Sequence, residues 1–191
     1  PKVFEMFENI KKTWSKMAKL QEKRLASLSA GEEPEAATNK KYLEAKSDMM
    51  KFMTDVALNP ARIDQLIQRL YQANRDLVTT EGRLLRLATD SGVARDEFLK
   101  SYYGAELDPS WLKTVAKKTT KGWAKFVEKH KDETVTLREV IARISDEAGL
   151  PVGEFRRIVT TVQKGEKESN RAKKEMIEAN LRLVISIAKK Y

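Results

Sequence analysis

The sequence predicts an all-α fold, a mostly antiparallel multi-helix assembly of about seven helices, on three observations. Apolar residues recur at spacings of three and four over long stretches, which at roughly 100° per residue places them on one face of a helix. No run of residues alternates apolar and polar side chains between turn signals, as a half-buried strand would. The 8 Gly and 5 Pro among 191 residues leave little for hairpins and sheets.

The elements follow in chain order. Residues 2–28 read as a first helix, with Val3, Phe4, Phe7, Ile10, Trp14, Met17, Leu20, Arg24 and Leu28 along its stripe and Lys11, Lys12, Lys16 and Lys19 off it. Trp14 is expected to anchor a core. Residues 29–38 carry Gly31, Pro34 and small or acidic side chains, and are expected to form a flexible loop. A second helix over 39–58 is expected to bury Tyr42, Leu43, Met49, Phe52, Met53 and Val56. Its Met49, Met50 and Met53 suit either core filling or an adaptable binding surface.

Asn59-Pro60 stops that helix and opens the next, because proline is tolerated in a first turn and not in an interior. The third helix runs to about Thr89 across Gly82, with Gly92 just past its end. A short helix over 94–102 closes at Gly104, and Asp108-Pro109 opens another that reaches His130. Thr136-Leu-Arg-Glu139 has capping-box spacing and re-opens a helix that ends at Gly149. Leu150-Pro151 begins a helix carrying Phe155, Ile158, Val159 and Val162, which Gly165 separates from the closing helix at 171–191.

Composition narrows the function. Hydrophobic residues at 41% and charged residues at 34% describe a helical protein with a heavily solvated surface. Zero cysteines exclude disulfides and thiolate metal sites and fit a reducing, cytoplasmic setting. No apolar run approaches the roughly 18 residues of a membrane span, and no signal peptide opens the chain. One histidine, His130, leaves no Ser/His/Asp arrangement, and no glycine-rich loop has phosphate-binding spacing. An enzyme is therefore not expected, nor a cofactor or metal. The net charge of +9 asks for an anionic partner, either nucleic acid or an acidic protein face.

The strongest local charge feature lies between 111 and 131. Lys113, Lys117, Lys121 and Lys125, continued by Lys129, recur every four residues, with Lys118 and Lys131 beside them and Glu128 the one acid in the stretch. On a single helix these lysines would walk slowly across one face, opposite Leu112, Val115, Ala116, Trp123, Phe126 and Val127. Such a row either solvates a helix or contacts phosphates or an acidic protein.

The closing stretch Ala172-Lys-Lys-Glu-Met-Ile-Glu-Ala-Asn-Leu-Arg-Leu-Val-Ile-Ser-Ile-Ala-Lys-Lys-Tyr191 puts Ile177, Leu181, Val184, Ala188 and Tyr191 on one stripe. Arg182, Lys189 and Lys190 fall on the opposite arc. From Arg171 to Tyr191 the wording resembles the opening helix of the second conserved region in bacterial primary sigma factors. Upstream, Asp96-Glu-Phe98, Tyr103-Gly104 and Asp108-Pro-Ser-Trp111 resemble, less specifically, the variable insert that precedes that region.

The resemblance implies residues 1–168 as the insert and 169–191 as the first helix of the conserved region, the chain being a fragment that stops before the family's clamp-binding and promoter-melting segments. It implies that Ile177, Leu181, Val184, Ala188 and Tyr191 pack against neighbouring sigma helices, and that Arg182, Lys189 and Lys190 lie near polymerase. The parent protein would bind core RNA polymerase and direct it to promoter DNA. The insert would dock on polymerase or on a transcription regulator. The alternative from the residues alone is a free-standing basic helical protein that coats nucleic acid.

Overall fold

The computed structural model describes residues 2–54, 56 and 58–190. Tyr191 and the side chain of Val3, both given packing roles from the sequence, lie outside the described residues. Among the described residues there are seven helices and no strand: α1 (Lys2–Ser29), α2 (Ala36–Thr54), α3 (Pro60–Asp90), α4 (Arg95–Tyr102), α5 (Trp111–Ala116), α6 (Trp123–Ala148) and α7 (Val152–Ala188). The chain forms two compact units, residues 1–155 and 156–191.

Within the first unit α1 and α2 form an antiparallel hairpin, and α3, α4, α5 and α6 pack together beside one another in pairs α3–α4, α3–α6 and α5–α6. Helix ends follow the local chemistry. The side chain of Asn59 accepts from the N–H of Ala61 ahead of Pro60, a cap that contributes about 1 kcal/mol. The helices α1, α3 and α6 close alike, with Glu32 N–H donating to Ser27 O, Val93 to Ala88 O and Leu150 to Ser145 O. That pattern satisfies carbonyls which a helix end otherwise leaves unpaired.

The hairpin is held by a buried polar knot. Arg24 donates through its guanidinium to Asn39 Oδ1, Gln21 Oε1 and Glu154 Oε1, and its plane lies 4.3 Å from the centre of the Tyr42 ring. Gln21 in turn donates to Gly149 O at 3.0 Å. A rigid fork of donors suits such a multi-partner site better than an ammonium would. Burial beside Glu154 raises the Tyr42 hydroxyl above its ordinary pKa, so the ring stays neutral under the cation.

Several elements differ from the sequence reading. The helix expected from 109 to 130 is two, because residues 117–122 break it before Trp123. The helix end expected at His130 appears as a kink, where φ −122° and ψ 20° leave the helical region and α6 resumes directly beyond it; the re-opening expected at Thr136 falls inside the helix, where Thr136 Oγ1 donates to Asp132 O as a mid-helix threonine does. Gly165 interrupts nothing, since a lone helical glycine costs only about 1 kcal/mol and the residues around it are good helix formers. The irregular stretch after α1 is shorter than expected, covering 30–35.

Burial differs too. Trp14 is 57% exposed, and Leu43 and Met53 are also exposed, because α1 and α2 cover only one side of each other. Met49, Phe52 and Val56 are partly covered, and Tyr42 is buried as expected.

One close approach sets the start of α6 against the end of α3. Gly122 sits at φ +98°, and a Cβ built there would lie 2.5 Å from Gly92 C and 2.6 Å from Val93 N. Both neighbours are backbone and cannot swing away. Gly122→Ala should therefore lower stability by about 2–4 kcal/mol. Gly82→Ala, in the interior of α3 with nothing within 4 Å of the added Cβ, should raise it by about 0.5–1 kcal/mol. Thermal unfolding of the two variants checks both signs.

Candidate partner-binding surface

Residues 117–122 form a connector whose inner side is pinned and whose outer side carries lysines. The pinning starts from five aromatic rings: Phe98 and Tyr102 of α4, Trp111 of α5, and Trp123 and Phe126 of α6. Each is 2% exposed or less, and neighbouring ring centres lie 5.3–6.4 Å apart in stacked and edge-on pairs. Such rings contribute large buried area, and their polar edges require partners. Trp111 Nε1–H donates to Ser101 O at 2.8 Å, and the Tyr102 hydroxyl donates to Glu81 Oε1 at 3.0 Å. Burial first, and then Glu81, keep that phenol protonated well above its ordinary range.

Glu97 ties the connector to α4. Its Oε1 accepts from Trp123 Nε1–H at 2.7 Å and from the Thr120 hydroxyl. These two donors, the threonine first, hold the carboxyl below its ordinary pKa, with Lys118 adding a smaller pull in the same direction. Lys118 lies with its ammonium 5.1 Å from the Trp123 ring centre, which uses that lysine as a lid on the indole. On the far side, Arg138 stacks 4.8 Å from the Trp111 ring centre and donates to Ala105 O and Asp108 O, closing the loop before α5. Desolvation lowers its pKa below the ordinary guanidinium value, against the opposing pull of the nearby phenol and carboxylates.

The lysines are accordingly not one row along one helix. Lys113 is on α5, Lys117 and Lys121 are in the connector, and Lys125 is on α6; all four are exposed. The physical reason is non-local, because Thr120 and Trp123 are drawn onto a carboxylate 23 and 26 residues away. What the structure brings together is the cluster Lys117, Lys118 and Lys121 on a pinned backbone, flanked in the chain by Lys113 and Lys125. Trp123 and Phe126 are core, as expected. The sequence reading missed Glu97 and Arg138, whose roles depend on long-range contacts with no local pattern.

The second unit, taken alone, is a single helical run. Every described position from Arg171 to Lys190 is exposed, and Ile177, Leu181, Val184 and Ala188 belong to no core there, a lone helix having no second element to cover them. Arg182 lies on α7, and Lys189 and Lys190 follow it in a turn that continues the helical hydrogen bonding. Pairs such as Arg171–Glu175 at 2.9 Å line the exposed surface, each contributing about 0.3–0.5 kcal/mol.

No helix among the described residues is long and apolar enough to cross a membrane. In comparison with known proteins, the family model described as "Sigma-70, non-essential region" matches residues 1–145, which contain the hairpin, the aromatic cluster and the connector.

The Glu97 interaction has a pH signature. A carboxyl with a folded-state pKa below its ordinary 4.5 adds stability above that value, and the contribution is lost as pH falls through the folded value. Glu97→Gln should lower the melting temperature at pH 7, and the gap from the unsubstituted chain should shrink between pH 4.5 and lower pH. Melting curves of both proteins across that range check it.

Proposed function

Because the chain belongs to the sigma-70 family, whose non-essential region it carries, we propose that residues 1–168 are the helical insert of a bacterial primary sigma factor and residues 169–191 the opening helix of its second conserved region. The chain is part of a transcription initiation factor. The proposed work of the parent protein is to bind core RNA polymerase and direct it to promoter DNA, with no bond made or broken. The insert serves as a docking module for polymerase or a transcription regulator.

The observation that carries the docking role is the connector. Lys117 and Lys121 are exposed while Thr120, Trp123 and Gly122 fix the backbone beneath them. A pre-ordered cationic surface loses less conformational entropy on binding than a lysine tail does. Exposed lysines act through charge, so the partner face is acidic and association is salt-dependent. Arg182, Lys189 and Lys190 supply a second basic set, placed by the resemblance near polymerase. A free-standing nucleic-acid coat would require the closing helix to be a coincidence, whereas the family match over 1–145 does not involve that helix.

Replacing Lys113, Lys117, Lys121 and Lys125 by glutamate in the whole sigma factor should weaken its binding to core polymerase or to a regulator about tenfold at low salt, the gap closing as salt rises. Titrations at two ionic strengths measure it. Unchanged binding and unchanged initiation would remove the connector from the function.

A further inference from the structure

The α1–α2 hairpin has an open side. Phe7 and Trp14 on α1 and Leu43 and Met50 on α2 are 55–63% exposed. On α1, Met17, Gln21 and Arg24 mark the inward direction and on α2 Tyr42 and Ala45 do, all buried or partly buried. At 100° per residue, Phe7 and Trp14 lie clockwise of the first set, and Leu43 and Met50 lie clockwise of the second. In an antiparallel pair the same sense of rotation leads to the same side, so the four form one face across both helices. Lys11 and Lys46 fall on that side too, while Lys12, Lys16, Lys19 and Lys23 point to the back. The acid on the open side is Glu22, toward the closed end of the hairpin.

We propose that this face receives an amphipathic helix from a protein partner, with an apolar stripe seated on Trp14 and Met50 and with acidic residues along its edges. Two antiparallel helices present a groove that a third completes as a small bundle. A large rigid indole beside a flexible thioether chain suits an anchor site that adapts to its ligand. Lys11 and Lys46 select acidic over basic flanks. From Phe7 to Ala18 the face is about 16 Å long, room for about three turns of partner helix. The proposal rests on the docking reading above and names a surface and a partner chemistry for it.

The test uses the whole 191-residue chain and two fluorescein-labelled peptides, one with leucines at i, i+3, i+4 and i+7 and glutamates elsewhere, the other with lysines in place of the glutamates. Anisotropy should show saturable binding of the acidic peptide and at least tenfold weaker binding of the basic one. Met50→Glu and Trp14→Ala, both surface changes whose folding far-UV circular dichroism verifies, should each weaken the acidic peptide at least tenfold. The pair Lys11→Glu with Lys46→Glu should invert the preference.

Trp111 and Trp123 are buried, so a blue shift of tryptophan emission on binding reports Trp14. Equal binding of both peptides, or binding insensitive to Met50→Glu, overturns the proposal. So does a blue shift that grows with protein concentration alone, which would mean that a second copy covers the face. Capture of a single-stranded oligonucleotide lost in Met50→Glu, with no peptide bound, would assign the face to nucleic acid and also overturn it. The connector lysines do not enter this assay, so its failure leaves the charge-reversal result on polymerase standing, and the converse.

Discussion

Backbone lies directly on backbone where Gly122 meets Gly92, and the first unit is arranged around that approach. It places the start of α6 against the end of α3, and the connector from α5 has one path left to take. Glu97 then accepts from Trp123 and Thr120 together, which aligns the indole with Phe98 and lets Trp111 and Phe126 close around it. With those side chains facing inward, Lys117 and Lys121 face out. The cationic surface is a consequence of how the core is closed, and its geometry is only as firm as that closure.

The helices were legible where local chemistry decides them. Asn59-Pro60 opens α3 and Gly92, Gly104 and Gly149 punctuate the chain as expected, whereas α2 ends at Thr54, short of the stop expected at Asn59; Arg24 was correctly placed on an inward stripe despite its charge. The split at 117–122 had one local signal, Gly122, which takes a left-handed φ of +98° ahead of α6; lysine and threonine do not forbid a helix there, and the competing hydrogen bonds come from Glu97, far away in sequence. Trp14 failed for the opposite reason. Its spacing put it on a stripe, but a stripe shows which residues share a face and not whether a second element covers that face. The connector lysines were named from the sequence. Their grouping on a loop, and the carboxylate that fixes it, required the fold.

Charge and apolar surface are separated in the first unit and mixed in the second. The hairpin exposes an aromatic and methionine face with few charges, the connector exposes lysines with its aromatics turned inward, and the second unit exposes both along one helix. Surfaces of different chemistry bind by different physics. Electrostatic contact sets the rate and salt dependence of association, while apolar contact sets how long a complex lasts.

The central claim is that the lysine connector is held as firmly as the helices it joins. Backbone ¹⁵N relaxation at residues 117–122 tests it most directly. The account predicts order parameters near 0.85, equal to those of α5 and α6, whereas values below about 0.6 across the connector would contradict it.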